Sequence, residues 1–173
     1  MRRIVTGRSS DGQSVVVDDH PPAERIYKSV PGLSISLVWA TEPGTPATSS
    51  TDSTTDLTSL VPPVGGTRLM RLVLPPDSVM MSPDFDGMAF ATEHQRNAPG
   101  LAELFEPDGM HATPTVDYSI VLEGEVWLET GGGELTELGP GDVVVQNGTH
   151  HAWRNRSDKP AVLLSALIGA PSA

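Results

Sequence analysis

Short alternating runs of side chains, each ended by a glycine-containing turn, fill the chain from residue 110 onward. The run VDYSIVLEGEVWLET alternates between two faces, GGGE and GPGD mark turns, and HHAWRN and AVLLSALIGA follow. Alternation with period two is typical of strands that bury one face, and no long helical pattern interrupts it. We therefore predict that residues 110–168 form most of one small antiparallel β-barrel.

The N-terminal part shows weaker signals of the same kind. RRIVTG, QSVVVDD, LSISLVWA and GTRLMRLVLPP predict further strands, and GLAELF after Pro99 predicts one short helix. Residues 41–59 are rich in Thr, Ser and Pro and hold little to bury, so we predict a mobile, solvated loop, with a lid as the alternative. A chain of 173 residues fits a single domain, 1–173.

Charge and composition exclude several classes of partner. Eleven Lys and Arg against 22 Asp and Glu give a net charge of −11, which repels nucleic acid and anionic membranes. The absence of cysteine excludes disulfides and thiolate metal sites. The sequence shows neither a signal-peptide pattern nor a run of about 20 apolar residues, so the expected location is the cytoplasm.

Two histidines and one aspartate are the candidate metal ligands. Because His111, Asp117 and His151 belong to neighbouring predicted strands, their side chains can converge inside a barrel. Two imidazoles and one carboxylate form a site for Fe(II) or a similar divalent cation that leaves coordination positions open. Asp117 and His151 are also the candidate catalytic residues. The alternative is that the histidines are hydrogen-bonded polar residues of a binding pocket.

Two segments resemble the sequence motifs of the cupin superfamily. HATPTVDYSIVLEG carries His111, Asp117 and a closing glycine at the spacing of the first motif, and GDVVVQNGTHHAWRN, residues 141–155, is similar to the second. The resemblance covers residues 105–170 and implies a jelly-roll β-barrel, all-β in class, with one divalent metal (Fe, Zn, Mn or Ni) in its lumen. Thr113 stands where such proteins carry another histidine, Asp117 replaces glutamate, and Gln146 stands where proline is common.

Further residues are candidates for contact with a small-molecule substrate. On the strand faces shared with the ligands, or directed into the lumen, these are Thr113, Ser119, Gln146 and Trp153. Arg68 and Arg71 have opposite parity in one strand, so one should face inward and bind a carboxylate, unless it forms a structural salt bridge. His20 and His94 lie in polar stretches and are expected in solvent, and His150 is expected at the surface.

Together these features predict a metal-dependent enzyme, preferably a lyase that dehydrates or decarboxylates a small organic acid or polyketide-like molecule. A non-haem iron dioxygenase and a non-catalytic binding protein are the alternatives. Unpaired N-terminal strands would favour a homodimer, because exposed sheet edges tend to pair.

Overall fold

The computed structural model describes residues 1–171, and eleven strands and one α-helix make up its regular structure. The helix, α1, spans Gly87–Asn97, and two single-turn 3-10 helices span Asp77–Val79 and Ala102–Leu104. The strands are β1 Ile4–Arg8, β2 Ser14–Asp19, β3 Glu24–Ile26, β4 Ser34–Thr41, β5 Thr67–Leu74, β6 Thr115–Glu123, β7 Val126–Thr130, β8 Leu135–Leu138, β9 Val143–Asn147, β10 His151–Arg154 and β11 Ala161–Gly169.

The strands form two main antiparallel sheets and a separate hairpin. The larger sheet has the order β3-β4-β5-β11-β6-β9, the smaller has the order β10-β7-β8, and β1 pairs only with β2. The long pairing of β11 with both β5 and β6 joins the N-terminal strands to the C-terminal ones. The sheets do not close into a continuous barrel but form a jelly roll, so the all-β fold with extra N-terminal strands is confirmed.

The apolar core lies between the two sheets because each strand turns one face inward. In β6, buried and more exposed residues alternate, with Thr115, Asp117, Ser119 and Val121 buried and Tyr118 exposed. Val121 and Leu163 of the larger sheet share the core with Val126 of the smaller one. The inward face of β6 thus changes from apolar at Val121 to polar near its beginning, where it can serve a site.

Two sequence features hold the C-terminal strands in place. Gly124, between β6 and β7, has a φ of 73°, and a Cβ there would lie 2.5 Å from the carbonyl oxygen of Pro160. Only glycine meets both conditions. Asn155, fully buried after β10, donates from Nδ2 to the carbonyl oxygens of Leu74 and Lys159. These contacts satisfy backbone groups that β-strands alone would leave unpaired.

The α-helix lies earlier in the chain than predicted. The segment after Pro99 forms only the turn Ala102–Leu104, whereas α1 begins at Gly87 with the Asp86 side chain accepting hydrogen bonds from Met88 N and Ala89 N. The helix was missed because its buried residues are Glu93 and His94, so its inner face is polar and hides the usual amphipathic period.

The long loop between β4 and β5 contains no strand or helix from Glu42 to Gly66. Asp52 forms an ion pair with Arg3, and the Ser53 hydroxyl donates to the carbonyl oxygen of Ala40. The mobility of residues 41–59 and the homodimer remain predictions. Across residues 1–171, no helix has the length and apolar character needed to cross a membrane.

A histidine-lined cavity as the candidate active site

A cavity of about 1000 Å³ lies between the inner face of the jelly roll, α1 and residues 101–109. Much of its wall is apolar, including Leu33, Ile35, Met70, Phe85 and Phe90. At one end the wall becomes polar, where buried side chains of β6, β9 and β10 face the same space. An apolar cavity of this size with a few polar groups at one end is the usual form of a small-molecule site.

His111 and His151 lie side by side at this polar end. Their backbones form an antiparallel bridge, and their ring centroids are 4.4 Å apart. His111 Nδ1 lies 3.2 Å from the carbonyl oxygen of Gly109, and His151 Nδ1 lies 2.9 Å from that of Thr149. A carbonyl oxygen can only accept, so both Nδ1 atoms carry the proton and donate. Each Nε2 therefore keeps a free lone pair.

Burial keeps both imidazoles neutral. Loss of solvent and, to a smaller extent, charge repulsion from the neighbouring His151 together lower the pKa of His111 to about 4. Burial also lowers the pKa of His151. A neutral imidazole whose Nδ1 is held by a carbonyl group is the form in which histidine coordinates a metal through Nε2. The pair thus has the donor chemistry that a divalent cation requires.

Asp117 lies in the same polar end but is held by hydroxyl groups. Thr115 Oγ1 donates to Thr113 Oγ1 at 2.7 Å, and Thr113 Oγ1 lies 3.4 Å from Asp117 Oδ2. The other oxygen, Oδ1, is buried without a hydrogen-bond partner. Burial raises the pKa of the Asp117 carboxyl. An unsatisfied buried carboxylate oxygen is costly, so its position next to a cavity points to a bound group or a proton.

The three predicted ligands are not assembled as one metal site. Among residues 1–171, no group of three His, Cys, Asp or Glu side chains is close enough together to hold a metal ion. His111 and His151 are adjacent, whereas the Asp117 carboxylate is directed to the threonine hydroxyls. The sequence identified residues that share a cavity, but it could not show the side-chain orientation that separates the third donor.

The other residues predicted to contact substrate fall into two groups. Those that line the cavity are Thr113, Ser119, Gln146 and Trp153. Neither arginine does. The buried Arg68 donates to the carbonyl oxygens of Thr41 and Ser59 and to Glu42. Arg71 lies 3.6 Å from Glu24 on the outer face. The geometry thus assigns Arg68 to holding the long loop rather than to binding a substrate carboxylate.

Sequence reasoning missed one wall of the cavity. His94 is not solvated as expected but buried: Phe90 stacks on its ring, and Phe105 lies edge-on to it. Its Nδ1 is 2.8 Å from the Tyr27 hydroxyl, and burial lowers its pKa to about 4. Phe105 also stacks on His111, with ring centroids 3.9 Å apart. His94 lies seven residues after the start of α1, and because the helix was missed, nothing in the local sequence indicated that this histidine is buried.

Fold and cavity together define a jelly-roll protein with a histidine pair at the polar end of an apolar pocket. Residues 103–167 match the family model for the cupin domain. By this match, the segment that carries β6 to β10 and most of β11 is a cupin domain. Among solved structures, it is similar to a cupin 2 conserved barrel domain protein from Salinispora arenicola, with 14% identity and a TM-score of 0.42 over 80% of this chain and 76% of that one.

Curated relatives match a shorter segment at higher identity. The chain is 55% identical over 47 residues to "Oryzines biosynthesis cluster protein J" of Aspergillus oryzae, which is 27% of this chain and 26% of that protein. It is 47% identical over 60 residues to "Cupin-domain-containing oxidoreductase srdB" of Neurospora crassa, covering 34% and 31%. The matched segment thus spans between about a quarter and a third of these relatives.

Proposed function

We propose that this chain is a metal-dependent cupin enzyme of secondary metabolism, and that its reaction is a lyase reaction on a polyketide-like or similar small molecule. The proposal rests on two neutral imidazoles, those of His111 and His151, whose Nε2 atoms are free to bind a metal. The unpartnered Oδ1 of Asp117 lies in the same end of the cavity. Relatives named for the oryzines and phomopsin biosynthesis clusters support a place in secondary metabolism.

The residues at the polar end fit a divalent cation in donor type. His111 and His151 would hold it through Nε2, and Asp117 would join them only after turning away from Thr113. Such a cation would supply Lewis-acid polarisation of a substrate carbonyl group. The candidate cations are Fe, Zn, Mn and Ni.

The chain's own groups provide the rest of the chemistry. Asp117 Oδ1 would take a proton from the substrate or return it, because it has no hydrogen-bond partner, whereas Oδ2 is already engaged with Thr113. The apolar wall would hold the substrate body and exclude water from the reacting end. A dehydration also needs an acid to assist the departing hydroxyl, and the Asp117 carboxyl could give that group the proton it has taken. His151 does not fit this role, because its Nδ1 donates to Thr149 and its Nε2 would bind the cation.

Two other functions each have an observation in their favour. Relatives from Neurospora crassa and Hypocrea virens are named cupin-domain-containing oxidoreductases, which favours a dioxygenase or another oxidoreductase. The lack of an assembled three-ligand group within residues 1–171 favours a non-catalytic binding protein. Oxygen uptake with iron-loaded protein and a candidate substrate distinguishes the first alternative from a lyase. Failure to bind metal would support the second.

The test begins with metal content. Protein purified without chelator, and apoprotein reloaded with iron, zinc, manganese or nickel, should hold one equivalent by elemental analysis. If no metal binds, the proposed metal-dependent reaction is wrong. Asp117→Asn then separates two roles: a fall in metal affinity would show that Asp117 is a ligand, and unchanged affinity would leave it the proton-transfer role.

A further inference from the structure

The charged side chains around the cavity are predominantly negative. Among the residues found to line it, Arg154 is the one with a permanent positive charge, while the carboxylates are Asp77, Glu103, Glu106, Asp108 and Asp117. Arg154 is already engaged: its Nε donates to Glu129 at 2.6 Å, and an Nη donates to the carbonyl oxygen of Asp108 at 2.7 Å. Glu129 therefore offsets the positive charge of Arg154, and the five carboxylates leave the cavity wall negative.

Three of the five carboxylates are exposed, and we call the part of the wall that they form the rim, or mouth, of the cavity. Glu103, Glu106 and Asp108 are exposed and follow one another on the segment that leads from α1 to His111, and Asp117 alone is buried at the polar end. His150 contacts Glu106 at 2.8 Å and can offset its charge only when protonated. In a chain of net charge −11, this rim repels negative charge before it reaches the apolar interior.

The negative charge at the rim affects the form in which a substrate can enter the cavity. A polyketide-like molecule can arrive free, or as a thioester on a phosphate-bearing carrier whose phosphates remain at the mouth. A divalent cation at the His111 and His151 pair would change the charge at the polar end but not at the rim. The charge of the rim would therefore be the same with and without a metal.

We infer that the mouth of this cavity selects against anionic groups, so that the substrate is a free, largely apolar molecule whose outer end is neutral or positively charged. This inference rests on the proposed small-molecule function of the cavity and deepens it. It disfavours delivery of the substrate as a phosphate-bearing thioester. A substrate without an anionic group also needs no arginine in the cavity to bind a carboxylate.

The test compares three probes with one hydrocarbon body: phenylhexanol, phenylhexylamine and phenylhexyl phosphate. Calorimetry on chelator-treated protein, repeated after zinc loading, should show the alcohol or the amine binding at least about tenfold tighter than the phosphate in both states. The difference should narrow in high salt, because exposed charges are screened. Equal or tighter binding of the phosphate, or no binding of any probe, would overturn the inference.

A pair of charge-reversal variants locates the effect. Glu103→Lys places a cation at the mouth and should improve phosphate binding about tenfold, whereas Glu137→Lys makes the same charge change on exposed β8, away from the cavity lining. If both variants act equally, net charge alone is responsible and the rim has no special role. Loss of zinc binding with selectivity intact would contradict the proposed function but not this inference.

Discussion

Two walls of the cavity contain buried histidines, but the two walls hold them in different ways. The strand wall, His111 with β6, β9 and β10, fixes two imidazoles through backbone carbonyl groups and leaves both Nε2 atoms free. The helix wall, α1 with Phe105, holds His94 through the Tyr27 hydroxyl and packs its ring between aromatic side chains. Burial lowers the pKa on both walls, so a low histidine pKa alone does not identify a ligand.

What distinguishes the walls is the partner of each ring. A paired arrangement with carbonyl partners gives two lone pairs at one place, which is what a cation needs. A single ring among Phe90, Phe105 and Tyr27 contributes packing and one hydrogen bond. The comparison predicts a functional strand wall and a structural helix wall, and substitutions on each wall test it.

The largest effect is expected on the strand wall. His151→Ala removes one of two adjacent donors and should lower zinc affinity by at least about a hundredfold while the circular dichroism spectrum stays that of the folded protein. His150→Ala is the matched control, because His150 is exposed and its Nε2 contacts Glu106. Equal zinc affinity of the wild type and His151→Ala would contradict the prediction that the strand wall binds metal.

A loss of stability without loss of metal is expected on the helix wall. Glu93 of α1 accepts hydrogen bonds from Lys28 N, Ser29 N and the Ser29 hydroxyl. Glu93→Gln should lower the free energy of unfolding by about 1 to 3 kcal/mol, since the backbone donors lose a charged acceptor. Urea denaturation measures this change, with Glu137→Gln on exposed β8 as the control. A variant as stable as the wild type would show that the hydrogen bonds of Glu93 do not stabilise the position of α1.

The same carboxylate gives a pH dependence of known sign. Hydrogen bonds from the backbone of Lys28 and from Ser29 lower the pKa of Glu93 to about 2. A depressed carboxyl pKa adds stability above the ordinary glutamate pKa, and that stability is lost as the pH falls from about 4.5 toward 2. The Gln variant should lack this part of the acid-induced loss.

A smaller effect is expected from His94, in a different pH window. Burial lowers its pKa from 6.5 to about 4, with Glu103 acting weakly in the opposite direction. The unfolded chain therefore binds more protons than the folded one in this window, and stability falls as the pH drops from 6.5 toward 4. His94→Phe should reduce that fall by up to about 1 kcal/mol per pH unit.

Tyr27→Phe is the matched control for His94→Phe. It removes the hydroxyl partner but keeps the buried imidazole, so it should destabilise the protein by about 1 kcal/mol and retain the pH dependence. Denaturation curves at several pH values distinguish the two variants. An unchanged pH dependence in His94→Phe would show that His94 is not the proton-linked group of the helix wall.

Sequence and structure agree on the strand wall for a physical reason. Period-two alternation places Asp117 and Ser119 on one face of β6 whatever the surrounding packing, so residue parity could predict which side chains share the cavity. Parity could not predict that Thr113 would hold the Asp117 carboxylate, because a hydrogen bond depends on rotamers. Parity also required one of Arg68 and Arg71 to face inward, but it could not show which one, or that loop carbonyl groups would bind Arg68.

The helix wall could not be predicted from the sequence, because no local pattern determines its position. Its position depends on buried polar contacts between distant segments, Glu93 with Lys28 and Ser29 and His94 with Tyr27. Such contacts leave no hydrophobic period in the local sequence, so α1 read as irregular and His94 as solvated. The metal, the dimer and the location of the protein remain predictions.

The smallest effect is expected in a region that belongs to neither wall. Residues 44–49 of the long loop do not line the cavity, whereas Glu42 contacts Arg68 and Asp52 contacts Arg3. Deleting residues 44–49 while keeping both ion pairs should leave the melting temperature nearly unchanged, because a flexible loop contributes few buried contacts and closure entropy changes slowly with length. Zinc and phenylhexanol binding should also match the wild type. A melting temperature lower by more than a few degrees would show that the loop is packed. Loss of ligand binding at unchanged stability would instead favour its role as a lid.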